Sequence, residues 1–128
     1  MGRLKDRFAA LQAAVMAQDF DRIREYIAED FEMVEPSALP YAGKYVGPEG
    51  FLDVVRGIRE AFDIDVASSV ITEAGDVLFC ELVMGFTSLR TGERVETPVV
   101  DIFRFSPEGK LLRGDVYYFD AEKVGAIA

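Results

Sequence analysis

The sequence contains no histidine and no tryptophan, and cysteine occurs once, as Cys80. Without histidine, Ser-His-Asp and Cys-His nucleophile systems are excluded, and so are histidine-ligated metal sites. A single cysteine cannot form an internal disulfide, so we expect a reducing, cytoplasmic location. Any acid–base chemistry must use carboxyl, tyrosine or lysine side chains, and we expect neither a metal nor a cofactor.

Basic residues are also scarce, because 14 Lys and Arg stand against 23 Asp and Glu, a net charge of −9. Such a surface repels phosphate backbones and anionic lipids, so we expect no nucleic-acid partner and no membrane partner. No long apolar run follows the N-terminus, and we expect neither a signal peptide nor a membrane span. With half of its 128 residues hydrophobic, the chain fits one domain over residues 1–128.

Three helical segments come first. Apolar residues at helical spacing predict a helix over residues 3–18, Asp19 is expected to cap a second helix ending near Glu29, and Pro48 opens a third. A short predicted strand, "FEMVEP", precedes a turn-rich segment over residues 37–50.

Four strands follow the helices, separated by the turns "EAGD", "RTGE" and "SPEG". The predicted strands cover residues 64–73, 77–88, 94–106 and 110–119. Asp120 is expected to cap a last helical turn. Three helices before an antiparallel meander predict an α+β fold in which the helices pack on one face of the sheet.

The second of these strands is apolar on both faces, with Leu78, Cys80 and Leu82 on one and Phe79 and Val83 on the other. An antiparallel sheet with one covered face shows alternation instead. We therefore expect a second copy of the chain to cover the other face, giving a homodimer joined through the sheet.

A carboxyl group stands in the middle of the next strand. With a period of two, Asp101 shares its face with Val99 and Phe103, and an inward face would direct it into apolar space. Glu35 shares a strand face with Phe31 in the same way. Apolar surroundings favour the neutral form of a carboxyl group, so we expect raised pKa values at both, with mutual repulsion separating the two titrations.

Two interpretations of each group stay open. Asp101 either lines a pocket and has a chemical or binding role, or is a buried group satisfied by a hydroxyl or by backbone amides. Glu35 either lines the same pocket or lies exposed at a strand end beside Pro36.

Three strings in this order resemble the ketosteroid isomerase-like superfamily, also called nuclear transport factor 2-like (NTF2-like) or SnoaL-like. The strings are "AQDFDRIREYIAEDFEMVEP", "LPYAGKYVGPEG" and "VVDIFRFSPEGKLLRGDVYYFD". The resemblance covers nearly the whole chain. It implies a cystatin-like or NTF2-like cone, in which three N-terminal helices pack on a curved antiparallel sheet around a small-molecule cavity, and a homodimer.

The resemblance also implies roles for individual residues. The carboxylate before a proline is the general base of ketosteroid isomerase, and Glu35 occupies that place. The aspartate of a D-x-x-R-F string, held protonated to donate to the developing oxyanion, corresponds to Asp101. The tyrosine donor of the first helix corresponds to Leu11, so this donor is missing here.

A further set of residues is expected to line the cavity. The expected ligand-binding residues are Leu11, Tyr41, Met84, Phe86, Val116 and Tyr118. The resemblance directs the face of Tyr118 inward, where its hydroxyl can donate to a ligand or to Asp101, and Tyr41 is expected at the cavity mouth. Ordinary core packing is the alternative for each.

Three functional hypotheses follow. The first is a cofactor-free isomerase, cyclase or lyase that moves a proton on a small apolar carbonyl compound, with Glu35 as base and Asp101 as oxyanion donor. The second is a non-catalytic protein that binds a small ligand in the same cavity. The third is an interaction module whose sheet surface is the functional part.

Overall fold

The computed structural model describes residues 3–128. This part of the chain is an α+β structure of four helices and six strands. The elements are α1 (Arg3–Met16), α2 (Phe20–Tyr26), β1 (Ile27–Glu35), β2 (Gly43–Val46), α3 (Gly47–Ala61), β3 (Phe62–Ala74), β4 (Val77–Ser88), β5 (Arg94–Phe105), β6 (Leu111–Tyr118) and α4 (Ala121–Ile127). Strand β2 lies in the segment that the sequence predicts as turns.

The helix starts follow from local chemistry. The side chain of Asp19 accepts a hydrogen bond from the backbone N–H of Arg22 at the start of α2, and Asp120 accepts one from Lys123 at the start of α4. Pro48 stands in the first turn of α3, where its missing N–H costs nothing. The predicted caps are confirmed.

The six strands form one sheet in the order β2-β1-β6-β5-β4-β3. All neighbours are antiparallel except β1 and β6, which run parallel. The prediction of an antiparallel sheet is therefore corrected at this one pairing. A hairpin dictates the relative direction of its two strands, but β1 and β6 are far apart in sequence and are joined through the rest of the fold.

Helices α1 and α3 cover the inner face of the sheet. The rings of Phe8 on α1 and Phe103 on β5 lie 5.0 Å apart, and those of Phe31 on β1 and Phe51 on α3 lie 5.9 Å apart. These contacts fix which face of β1 and of β5 points into the core. No helix within residues 3–128 combines the length and apolar character needed to cross a membrane.

Helix α4 packs against the segment between β1 and β2. Val124 is fully buried, and a Cβ atom on Gly125 would overlap the backbone carbonyl of Ala38. Arg90 in the β4–β5 turn donates two hydrogen bonds to the carbonyl oxygen of Ala128, at 3.1 and 2.7 Å. Both contacts hold α4 against the rest of the domain.

We expect Gly125→Ala to destabilise the protein by about 1–3 kcal/mol, because the added methyl must push α4 away from Ala38. Urea unfolding followed by circular dichroism measures the change. Ala126→Ser, on the exposed side of α4, is the control and should stay within about 0.5 kcal/mol of the parent. Equal stability of both variants would show that α4 is not packed closely here.

Candidate functional site

Asp101 faces the interior from a central strand. Its neighbours Val99 and Phe103 on the same face of β5 are buried. Across the sheet it pairs with Cys80 on β4 and with Val116 on β6. Asp101 nevertheless keeps partial exposure, unlike the apolar residues beside it.

Glu35 ends β1 on the same inner face and is only 3% exposed. Val34 pairs with Asp115 in the parallel register, so Glu35 lies level with Val116, which in turn pairs with Asp101. The two carboxyl-bearing residues thus stand in one row, two strand spacings or about 10 Å apart at their Cα atoms. The structure brings together the two acidic residues that the sequence analysis singled out.

The environment of Glu35 opposes a negative charge. Its Oε1 atom is buried and has no hydrogen-bond partner within residues 3–128. Burial, and to a smaller extent the nearby Asp101 carboxylate, raises the pKa of Glu35 to about 8. Burial raises the pKa of Asp101 to about 7. Both carboxyl groups therefore keep their protons to near neutral pH, well above the ordinary range of a carboxyl group.

Two tyrosine hydroxyls lie beside the carboxyl groups. The hydroxyls of Tyr41 and Tyr118 are hydrogen-bonded to each other at 2.7 Å. The Tyr45 hydroxyl donates to the backbone carbonyl of Tyr41 at 2.8 Å, which holds this segment in place. Tyr41 is only 3% exposed, so it belongs to the interior and not to the expected cavity mouth. Burial and the nearby Glu35 charge raise the pKa of both Tyr118 and Tyr41 well above the ordinary value.

The two tyrosines belong to a closed circuit of four aromatic rings. The ring centroids are 6.2 Å apart for Tyr41 and Phe62, 5.5 Å for Phe62 and Phe86, and 5.7 Å for Phe86 and Tyr118. The hydroxyl bond between Tyr41 and Tyr118 closes the circuit. Phe86 is fully buried and supports the ring of Tyr118. This packing restricts where the Tyr118 hydroxyl can point.

Several inward side chains near Asp101 remain partly exposed, although they stand on central strands. The partly exposed inward residues are Leu82, Met84, Asp101, Val116 and Tyr118. A close-packed core would bury them as completely as it buries Phe86. From this pattern we infer an opening beside the carboxyl groups, bordered by these five residues, and we call it the central hollow. Met84, Val116 and Tyr118, which the sequence predicts to line a cavity, are among these partly exposed residues.

The remaining predicted residues have packing roles. Leu11 is 1% exposed and belongs to the hydrophobic core. Burial, with a smaller contribution from Asp101, raises the pKa of the Cys80 thiol to about 12, so this side chain stays protonated and unreactive. Residues 3–128 contain no group of three or more Cys, Asp and Glu side chains that could hold a metal ion.

Two clefts, each of about 520 Å³, lie away from the carboxyl groups. One is between α2 and α3, with Arg24 and Arg56 in its wall, and the other lies at the corner of α3 and β3, with Phe62 and Leu89 in its wall. Neither carboxyl group of the central hollow lines these clefts, and the charged residues in their walls are exposed. We place the candidate site at the central hollow, because perturbed titratable groups facing an interior space indicate function better than volume does.

Two features of this site have no clear signal in the sequence. Nothing in the sequence pairs Tyr41 with Tyr118 or joins Phe62, the first residue of β3, to the aromatic circuit. On β6, Leu111 is buried and Leu112 exposed, the reverse of the strict alternation, because the β5–β6 register shifts there. A bulge of this kind has no clear sequence signature.

Comparison with known proteins identifies the family. The sequence profile of the SnoaL-like domain matches residues 7–114, and the chain belongs to this family. Among proteins with curated functions, none matches the sequence.

Solved structures share the fold over nearly the whole chain. An NTF2-like protein from Burkholderia xenovorans LB400 superposes with a TM-score of 0.88 at 17% identity, covering 97% of this chain and 94% of the other. A candidate polyketide cyclase from Pseudomonas putida KT2440 gives 0.75 at 18% identity and 98% coverage of both chains. TerC, co-crystallised with polyporic acid, gives 0.72 at 20% identity and 90% coverage of both. At these identities the similarity establishes the NTF2-like fold.

Proposed function

We propose that the protein binds a small apolar carbonyl compound in the central hollow and transfers a proton at the carbon beside the carbonyl, without a cofactor. The observation that carries the proposal is the shared inner row of Glu35 and Asp101, two carboxyl groups of unequal burial. Proton abstraction next to a carbonyl needs a charged base and a neutral hydrogen-bond donor in one dry site. Isomerases and cyclases use this step.

The difference in burial supports assigning the base to Asp101 and the neutral donor to Glu35. This is the reverse of the assignment implied by the family resemblance. A carboxylate at Glu35 would leave a buried charge with an unpartnered oxygen, whereas Asp101 has access to the central hollow. Asp101 would take the proton from carbon, and the electron pair would move to the carbonyl oxygen, which accepts the hydrogen bond from Glu35.

The walls of the hollow support an apolar substrate. Leu82, Met84 and Val116 are its uncharged, partly exposed side chains, and Met adapts readily to ligands of different shape. The similarity to a candidate polyketide cyclase and to TerC, which was crystallised with polyporic acid, favours cyclic carbonyl compounds among the possible substrates. The protonated Asp101 would then return the proton to another carbon of the enolate, or the enolate carbon would attack a second carbonyl, whose oxygen takes the proton from Asp101.

The test is a thermal-shift screen of ring ketones, lactones and polyketide-like compounds, followed by proton exchange. A ligand that binds the native state alone must raise the melting temperature. For each hit, NMR in D₂O follows loss of the proton beside the carbonyl. Exchange that is faster with protein than with buffer supports the proposal. A set of tight ligands that never exchange would overturn it.

One observation favours a second candidate, binding without turnover. Where the resemblance implies a tyrosine donor, Leu11 is buried in the apolar core, so α1 provides no hydrogen bond to a reacting oxygen. Under this alternative, Asp101 orients a ligand and converts nothing. Tight ligands without proton exchange would be the expected result of the same screen.

We further propose that the outer face of β4 and β5 pairs with a second copy, in a reducing compartment such as the cytoplasm. Phe79, Val100 and Ile102 form an apolar patch on this face. Glu81 and Arg104 lie on either side of the patch, and neither has an ion pair in the described part of the chain. A twofold axis through the patch would bring Glu81 opposite Arg104 of the partner subunit.

We expect the wild-type protein to elute as a dimer, and Glu81→Arg and Arg104→Glu each to shift the population to monomer, because each places like charges across the interface. The combined swap should restore the dimer. Size-exclusion chromatography with light scattering gives the mass. Glu29→Lys, on exposed β1, is a control for the change in net charge. A monomeric wild type, or swaps without effect, would contradict this arrangement.

A further inference from the structure

In the hydroxyl pair of Tyr41 and Tyr118, one of the two O–H groups makes no hydrogen bond within residues 3–128. Two hydroxyls carry two protons, and their mutual hydrogen bond uses one of them. Within residues 3–128 neither hydroxyl makes another hydrogen bond. The second proton is therefore available to an acceptor that the protein itself does not provide. Buried hydroxyl donors are normally satisfied, so an unused one next to a hollow indicates a ligand oxygen.

The position of the pair makes it a suitable donor to a reacting oxygen. Tyr118 lies one inward residue beyond Val116 on β6, and Val116 separates Glu35 from Asp101. Among the acidic residues, Glu35 contributes most to the raised pKa of both tyrosines, and Asp101 also contributes to that of Tyr118. The groups facing Asp101 from the neighbouring elements are thus Cys80, Glu35 and the tyrosine pair. Burial raises the pKa of both hydroxyls well above the ordinary value, so the pair keeps its protons and stays a hydrogen-bond donor near neutral pH.

We propose that the Tyr41–Tyr118 pair donates a second hydrogen bond to the carbonyl oxygen of the substrate, beside that of Glu35 and in place of the helix donor missing at Leu11. The inference rests on the proposed function. The substrate oxygen then lies toward β6 and the aromatic circuit, and away from α1. Tyr118 contacts the oxygen directly, and Tyr41 is a positioning residue that orients the Tyr118 hydroxyl.

The pair should be a stronger hydrogen-bond donor to the substrate oxygen than a single hydroxyl would be. Either hydroxyl can be the donor in the free protein. When Tyr118 donates to a substrate oxygen, Tyr41 donates to the Tyr118 oxygen, and hydrogen bonds in such a chain strengthen one another in a dry site. The rings of Phe62 and Phe86 keep the pair from turning away. Removing one preorganised donor to a developing oxyanion costs about 10²–10³-fold in rate. Loss of the Tyr41 hydroxyl, which only orients Tyr118, should lower the rate less, by about 3–10-fold.

Substituted naphthols of graded acidity test this inference by binding alone, because their oxygen imitates an enolate. Absorbance and fluorescence titrations give the affinity and the ionisation state of the bound naphthol. We expect affinity to rise with naphthol acidity in the wild type, and Tyr118→Phe to flatten this dependence and to weaken the most acidic naphthol about 10-fold. Tyr41→Phe should give a smaller effect in the same direction. Leu11→Ala, a core change on the α1 side, should leave the slope unchanged.

The outcomes separate the two proposals. Equal naphthol affinities in wild type and Tyr118→Phe, or no naphthol binding by the wild type, would overturn the tyrosine assignment whatever the proton-exchange result. Weakened binding in Tyr118→Phe without any proton exchange by the wild type would support the tyrosine donor and reject the catalytic proposal. Should Tyr118→Phe fail to fold, Tyr41→Phe decides, and an unchanged slope in that variant would overturn the inference.

Discussion

Asp101→Asn is expected to lower the rate of substrate proton exchange by about 10²–10⁴-fold, the usual contribution of a general base. Asparagine keeps the shape of the side chain but cannot accept a proton at neutral pH. Glu35→Gln should cost no more than about 10-fold, because the amide N–H still donates to the substrate oxygen. NMR exchange rates on the strongest hit of the thermal-shift screen measure both variants.

The comparison between the two variants decides which carboxyl group is the base. A larger loss in Glu35→Gln than in Asp101→Asn would restore the assignment implied by the family resemblance. Full activity in both variants would remove the carboxyl pair from the mechanism. Circular dichroism of each variant establishes that the fold is kept. Ligand affinity, measured separately, should change little in Glu35→Gln.

The pH dependence of exchange should follow the same pair. With the pKa of Asp101 raised to about 7 and that of Glu35 to about 8, activity should rise as Asp101 ionises and fall as Glu35 loses its proton. The two apparent values belong to the coupled pair. Since the two pKa values are close, the expected profile is a narrow bell between them. The rising limb should disappear in Asp101→Asn.

Glu35→Gln is expected to remove about half of the loss of stability that the wild type shows on going from acid to mildly alkaline pH, because the raised pKa values of Glu35 and Asp101 both contribute to that loss. A carboxyl group with a raised folded-state pKa stabilises the fold fully below its unfolded value, near 4.5, and this contribution is lost as pH rises toward about 8. At pH 7 the burial of Glu35 should cost about 3 kcal/mol of unfolding free energy relative to acid pH.

Urea unfolding at several pH values between 5 and 9 measures this effect. The difference in stability between Glu35→Gln and wild type should grow in favour of the variant as pH rises, and should level off above about pH 8. Glu29→Gln, an exposed site on the same strand, should follow the wild-type curve. Parallel curves for wild type and Glu35→Gln would show that Glu35 is not held neutral by burial.

Much of the fold could be predicted from local pattern. Strand alternation placed Val99, Asp101 and Phe103 on one inward face, and the structure agrees, because alternation is a property of the extended backbone itself. The caps at Asp19 and Asp120 were predicted because capping depends on a few neighbouring residues. The short strand β2 was missed, because its four residues form a strand only by pairing with β1.

The candidate site was predicted in part. Asp101 was expected in the interior, and Glu35 either there or exposed at a strand end. The burial of each carboxyl group could not be predicted from residue type, since it depends on which distant segments cover it. Tyr41 shows this most clearly. Its loop position suggests a cavity mouth. In the structure its hydroxyl lies in the interior, hydrogen-bonded to Tyr118, which is 77 residues away in the chain.

Composition and local pattern alone establish which side chains are available for acid–base chemistry and which residues share a strand face. An absence of histidine and the local alternation of side chains do not depend on how the chain folds. The tertiary structure was needed to show that the Oε1 atom of Glu35 lacks a partner within residues 3–128, that Asp101 keeps partial exposure, and that two tyrosines share one hydrogen bond. Protonation state depends on desolvation and on neighbouring donors, and segments remote in sequence supply both.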